Sequence, residues 1–283
     1  MKRILVATDF SGRSSKAVRR ASLLASRFGA ELTVLHVIDE EPDSLIAVEM
    51  EASHAILAEL AKELEGSYAV SAQPSIRVGA PHEAILAAAA DIDAEIIVMG
   101  AHRKHILKDV FVGTTIERVM RTGALPVLMV NQEPRKTHED ILLALDLSEA
   151  SANAARKALS LGFLADARIR IAHAFDPPAK SRLIVGDVAQ EKIDAYVTEE
   201  RVKATSDLVA FAQSLPIDTR TAKLQVVEGD PAPVIMDIAQ TKQPDLVVAG
   251  TQGRSGLAKF LLGSVAESLL RNLETDILVV PQR

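Results

Sequence analysis

Gly250-Thr-Gln-Gly253, then nine residues, then Gly263-Ser264 is the stretch of this chain whose residue types and spacing best suit a chemical task. Glycine lacks a Cβ, so its backbone can come close to a ligand, adopt φ > 0 and turn N–H groups toward an anion. A helix opening at Gly263-Ser264 would add unpaired N–H groups and the positive end of its dipole. These features describe a phosphate-binding loop. It is not a Walker A loop, because no lysine precedes Ser264, and it lacks the tighter Gly-x-Gly-x-x-Gly of the dinucleotide fingerprint. On spacing alone, a glycine-rich connection that merely closes a tight turn is an equal alternative.

The same pattern occurs earlier with one change. Gly100-Ala-His-Arg103 is followed by nine residues and Gly113-Thr114, so Arg103 stands where the second glycine should be. A side chain there can collide with phosphates or resist the backbone angle. Alternatively, the guanidinium itself can reach an oxyanion. Weakened binding is the expectation for this copy. His102-Arg-Lys-His105 is the densest basic spot, but the two histidines lack a carboxylate partner at helical spacing. It reads as a solvated or anion-contacting loop, and no metal site is assigned. His36 and His173 recur at the ends of matching strands and read as positioned structural histidines. A proton donor near a crevice is the alternative, though no base partner is evident. No Ser-His-Asp order, paired catalytic carboxylates or His-Glu-x-x-His segment stands out, so no catalytic residue is assigned.

These residues are positioned by a repeat. Asp9 and Asp146, His36 and His173, and Asp39 and Asp176 are each 137 positions apart. Gly79 and Gly229, Gly100 and Gly250, and Gly113 and Gly263 are each 150 apart, so the second copy carries 13 extra residues after its second strand. Such self-similarity implies two like domains. They join near the polar, proline-containing Asn131–Thr137, giving domains 1–134 and 138–283. In the first copy, strands are expected at Ile4–Ala7, Glu31–Ile38, Val70–Val78, Glu95–Met99 and Pro126–Val130. Helices are expected at Ser14–Phe28, Ser44–Leu64, His82–Ala90 and Thr115–Thr122. Apolar runs alternating with helices predict a parallel sheet covered on both faces. In such sheets ligands lie beyond the carboxyl ends of strands where the connections reverse. A first strand beside a fourth would gather Asp9 with Gly100, and Asp146 with Gly250. The extra residues fall before or within Gly186–Leu215, which reads as a helix on the sheet and also as a possible partner surface. The acidic run Asp39–Asp43 reads as a solvated turn.

Composition excludes several roles. The net charge of −6 opposes a dedicated nucleic-acid binder, and 3% aromatics without tryptophan oppose base stacking. Absence of cysteine removes disulfides and thiolate chemistry and suits a reducing cytoplasm. No apolar run approaches the roughly 18 residues of a membrane span.

The combined order of motifs resembles the universal stress protein family over nearly all of both halves. In the first half the likeness rests on Ile4-Leu-Val-Ala-Thr-Asp9-Phe-Ser11, Leu35-His-Val-Ile-Asp39, Val78-Gly-Ala-Pro81-His-Glu and Pro126-Val-Leu-Met-Val130. In the second it rests on Ile141-Leu-Leu-Ala-Leu-Asp146, the Gly250-to-Ser264 loop and Asp276-Ile-Leu-Val-Val280. The resemblance implies an α/β fold of two tandem, open, parallel five-stranded sheets with helices on both faces. It is of the adenine-nucleotide alpha hydrolase-like, Rossmann-like kind, with the halves related by a pseudo-two-fold. It implies ATP with Mg²⁺ at Leu145, Asp146, Ala174, Ala249, Gly250, Gly253, Gly263, Ser264 and Val265, with Ser264 on phosphate and Asp146 near the ribose or Mg²⁺. The weaker first-half site comprises Thr8, Asp9, Val37, Met99, Gly100, Gly113, Thr114 and Thr115. Copies in this family pair through their last strands, here Val127–Val130 against Ile277–Val280, and a homodimer is also open. The implied role is a cytoplasmic, nucleotide-dependent stress sensor or regulator. A slow ATPase or phosphotransfer enzyme and a nucleotide-free partner scaffold are the alternatives.

Overall fold

The computed structural model describes residues 1–39, 43–101, 114–251 and 262–282. The first half runs β1 (Arg3–Thr8), α1 (Gly12–Phe28), β2 (Glu31–Ile38), α2 (Asp43–Tyr68), β3 (Ala72–Val78), α3 (Pro81–Asp91), β4 (Ile96–Gly100), α4 (Thr115–Thr122) and β5 (Val127–Val130). The second runs β6 (Asp140–Ala144), α5 (Glu149–Ser160), β7 (Arg168–Phe175), α6 (Lys180–Val185), α7 (Gln190–Ser214), β8 (Lys223–Glu228), α8 (Pro231–Lys242), β9 (Leu246–Gly250), α9 (Ser264–Asn272) and β10 (Asp276–Val280).

Local sequence explains the helix ends. Ser11 caps α1 by accepting from the Ser14 N–H, and Gly29 ends it at φ 61°, a left-handed conformation that glycine adopts without a steric cost. Pro81 and Pro231 occupy the first turns of α3 and α8, where the missing N–H costs no hydrogen bond. The stretch expected as one helix from Gly186 begins only at Gln190. Asp187 takes φ 53° after Gly186 has closed the short α6, and that left-handed residue breaks the helical path.

The strands of each half are mutually parallel, in the order 3-2-1-4-5, and together they form one ten-stranded sheet, β3-β2-β1-β4-β5-β10-β9-β6-β7-β8. The two five-stranded sheets expected from the sequence are thus the halves of a single open sheet. They meet where β5 and β10 pair antiparallel, with Leu128 opposite Leu278 and flanked by Met129–Ile277 and Val127–Val279. Leu128 and Leu278 are also repeat partners, so the approximate two-fold passes through this pair.

Alternation across the strands supplies two apolar layers. Ile4 and Val6 face one layer with α1 residues Ala17, Val18, Ala21 and Leu24 and α5 residues Ala154 and Ala158. Leu5 faces the other, with Ile85, Val119, Ile235 and Leu269 from α3, α4, α8 and α9. Both layers continue across the seam. A strand covered on both faces needs continuous apolar sequence, as in the fully buried Val127–Val130.

Candidate functional site

The adjacency that the sequence could only suggest is present in both halves. β1 lies beside β4, with Ile4 opposite Ile96, and β6 beside β9, with Ile141 opposite Leu246. Since β2 and β7 flank the other sides, each half has a switch point, and a cavity opens there at the carboxyl ends of the strands.

The second-half cavity, about 320 Å³, brings together the expected site residues from four of the segments that line it. Leu145 and Asp146 come from the end of β6, Ala174 from β7, Ala249 and Gly250 from β9, and Gly263, Ser264 and Val265 from the start of α9. The first-half cavity, about 340 Å³, gathers Thr8, Asp9, Val37, Met99, Gly100, Thr114 and Thr115 in the same arrangement. Gly253, Gly113, Arg103, His102 and His105 lie outside the described residues.

Each cavity rim is built on a strained turn. Phe10 and Leu147, repeat partners, take φ 57° and 63°, a conformation that costs a non-glycine residue about 1 kcal/mol or more. Hydrogen bonds hold it. Asp9 Oδ1 accepts from the Ser11 N–H at 3.0 Å and Ser14 Oγ at 2.6 Å. Asp146 Oδ1 accepts from the Ser148 N–H at 3.0 Å and Ser148 Oγ at 2.5 Å. Thr8 Oγ1 donates to Ser14 Oγ at 3.1 Å, extending a hydroxyl chain to Asp9. Burial raises the Asp9 carboxyl, but hydrogen bonds from Ser11 and Ser14 and the nearby Arg13 charge more than offset it, leaving Asp9 below the ordinary carboxylate value. The carboxylates are therefore positioned acceptors at the rim.

The histidines are structural anchors. A carbonyl only accepts, so the ring N–H is on Nδ1: His36 donates to the Thr8 carbonyl at 2.9 Å, and His173 to the Leu145 carbonyl at 2.8 Å. Each pins the end of the first strand to the second. His36 also stacks on Phe10, with centroids 4.2 Å apart.

Gly100 has a packing reason. A Cβ there would sit 2.7 Å from the Arg13 carbonyl oxygen and 2.9 Å from the Ser14 nitrogen, so its bareness lets α1 start against β4. At the opposite rim the halves diverge. Thr114 caps α4 by accepting from the Glu117 N–H at 3.3 Å, whereas α9 has Gly263 at the capping position and, among the described residues, no side-chain cap. Pro81, Pro231, Ile85 and Ile235 also line the cavities, as do Ser14 and Ser151, none of which stood out as a site residue in the sequence. The Gly-x-Pro repeat and the serine recurrence at offset 137 were the available signals. Among the described residues, no group of three or more His, Cys, Asp or Glu side chains could hold a metal ion, and no helix is long and apolar enough to cross a membrane.

Comparisons with known proteins agree with this doubled architecture. The model of the universal stress protein family matches residues 1–131 and again residues 137–281. A universal stress protein of Methanocaldococcus jannaschii is 32% identical over 146 residues, covering 50% of this chain and 82% of that protein. Another, from Mycolicibacterium smegmatis, is 27% identical over 315 aligned positions, covering 99% of this chain and 97% of that one. The crystal structure of a universal stress protein from Archaeoglobus fulgidus has the same fold, with a TM-score of 0.73 at 20% identity, covering 99% of this chain and 98% of that one.

Proposed function

The chain belongs to the universal stress protein family, and from that premise we propose that its second half binds ATP with Mg²⁺ and that the protein is a nucleotide-dependent sensor or regulator rather than an efficient enzyme. The observation that carries this reading is the start of α9. It faces a cavity of about 320 Å³ and has no side-chain cap among the described residues, so its first-turn N–H groups suit phosphate oxygens. Gly250, Gly263 and Ser264 would hold the phosphates, with Gly253 added from the sequence motif. Leu145, Ala174, Ala249 and Val265 would cover the adenosine, and Asp146 would face the ribose or Mg²⁺. A magnesium ion bound mostly through substrate phosphates and water needs few protein ligands, which suits a rim with one positioned aspartate. The first half is the weaker site, because Thr114 already occupies an α4 N–H group and Arg103 replaces the loop glycine.

We also read residues 1–134 and 138–283 as the two functional domains, paired through β5 and β10 within one chain, with a cytoplasmic location. Light scattering after gel filtration tests whether a second copy adds to this pairing. A sensor needs only that ATP binding distinguish two states of the protein. Phosphoryl transfer would need a positioned nucleophile and charge stabilisation, and the described lining residues include no lysine.

Thermal-shift titration with Mg-ATP tests the proposal. At a free ligand concentration near 100 times Kd, one site stabilises the fold by about 2.7 kcal/mol, and Gly253→Arg should remove that gain. A missing shift in the wild type would overturn nucleotide binding and favour a partner scaffold. Multiple-turnover phosphate release, abolished by Asp146→Asn, would instead identify an enzyme.

A further inference from the structure

The repeat that duplicates the cavities does not duplicate a buried charge cluster at the seam. Asp276, the first residue of β10, is fully buried. Its carboxylate accepts from Arg20 Nε and His138 Nε2, each at 3.0 Å, and from the backbone N–H groups of Asn131 and Gln132, each at 2.9 Å. Arg20, itself 3% exposed, also donates to the Lys136 carbonyl at 2.5 Å. One carboxylate thereby ties α1 of the first half, the connection between the halves and β10 of the second. At the repeat-equivalent positions of Arg20 and Asp276 stand Lys157 and Pro126.

His138 is 2% exposed. Since a carboxylate only accepts, the neutral ring carries its proton on Nε2, and its buried Nδ1 has no hydrogen-bond partner. The charged groups facing it are Arg20 from α1, Asp276 from β10 and Asp245 from the turn before β9. Asp245 already accepts the N–H groups of Glu139 and Asp140. Phe163, its ring centroid 5.8 Å from that of the imidazole, offers no acceptor for a new N–H. A second proton on His138 would bury an unsatisfied donor and place a second cation beside Arg20, with Asp276 already shared.

We infer that Arg20, His138 and Asp276 form an acid-sensitive latch, closed over the seam while His138 is neutral and released when its ring gains a second proton. Burial supports this by pushing the ring below its ordinary value of 6.5, with Asp276 opposing that only in part. Because the folded value is depressed, the latch is fully effective above the unfolded value and weakens as pH falls from there toward the folded value. Between those two limits, opening rises by up to about tenfold per pH unit, the slope set by uptake of one proton.

Amide hydrogen exchange on the full chain, corrected for intrinsic pH dependence, tests the latch from about pH 7.5 to 5.5. The expected result is lost protection at β5, β10 and residues 131–138, while β1 and β6 hold theirs. His138→Gln, neutral throughout, should remove the pH dependence. Wild-type protection at the seam that is independent of pH, or that declines equally at β1, would overturn the latch, as would pH dependence persisting in the glutamine variant. Should that variant fail to fold, the ring titration of wild-type His138 by NMR decides. A midpoint below the ordinary histidine value supports the latch, and one at or above it overturns it.

Discussion

Ser264 and Thr114 are repeat partners with different local positions. Thr114 caps its helix, whereas Ser264 lies inside the first turn of α9 after a glycine. Ser264→Asp separates the fold from the ligand. A carboxylate at a helix start stabilises it by about 0.3–1 kcal/mol but repels phosphate. The ligand-free protein should melt at the same temperature or slightly higher, and the thermal shift with Mg-ATP should vanish. Asp9 supplies a second residue-scale prediction. Its carboxyl lies below the ordinary value in the folded state, so its stabilising contribution is present above about 3.8 and is lost as pH falls below it. Asp9→Asn should therefore lose stability relative to wild type at neutral pH and less near pH 3, as measured by urea unfolding. The aspartates and glycines were legible in sequence because they recur at fixed offsets. The serine chemistry around them was less so, since a serine near a helix start is ordinarily read only as a cap.

At the scale of elements, the contact between α1 and β4 sets the first cavity. Gly100→Ala would put a methyl group within 2.7 Å of the Arg13 carbonyl, where rigid backbone rather than a flexible side chain must yield. Overpacking of this kind costs about 1–3 kcal/mol, measurable as a lower urea midpoint. Strand and helix types were readable from apolar runs, caps and glycines, and the predicted order matches the structure. The insertion was harder to read. Its apolar spacing suggested a helix over Gly186–Leu215, but α7 starts only at Gln190, the short α6 before it was not expected, and Asp187 at φ 53° separates the two without announcing a break.

The whole molecule depends on a seam of only a few strand pairs reinforced by a buried ion cluster. Removing one partner of a buried pair typically costs about 3–5 kcal/mol, because the other charge is left uncompensated. Asp276→Ala should incur a loss of that order and strand Arg20. Urea unfolding followed by probes in each half should then separate into two transitions where the wild type shows one. Replacing Arg20, His138 and Asp276 together with apolar residues should recover part of that stability, the Asn131 and Gln132 N–H groups still losing their acceptor, and should remove the pH dependence of seam exchange between about pH 7.5 and 5.5.

By itself, the sequence determined the duplicated α/β architecture, the positions of the two candidate loops and the likeness between Asp9 and Asp146. These are local properties: apolar periodicity, turn chemistry and recurrence at a fixed spacing. Pairing of the last strands was implied by the family resemblance; tertiary structure alone decided its antiparallel register and the difference between the described caps at the α4 and α9 starts. It also decided that Arg20, His138 and Asp276 meet. Arg20 and Asp276 are 256 residues apart, and neither their types nor their spacing repeats. Only strand pairing across the seam removes water from them and makes their charges answer to one another.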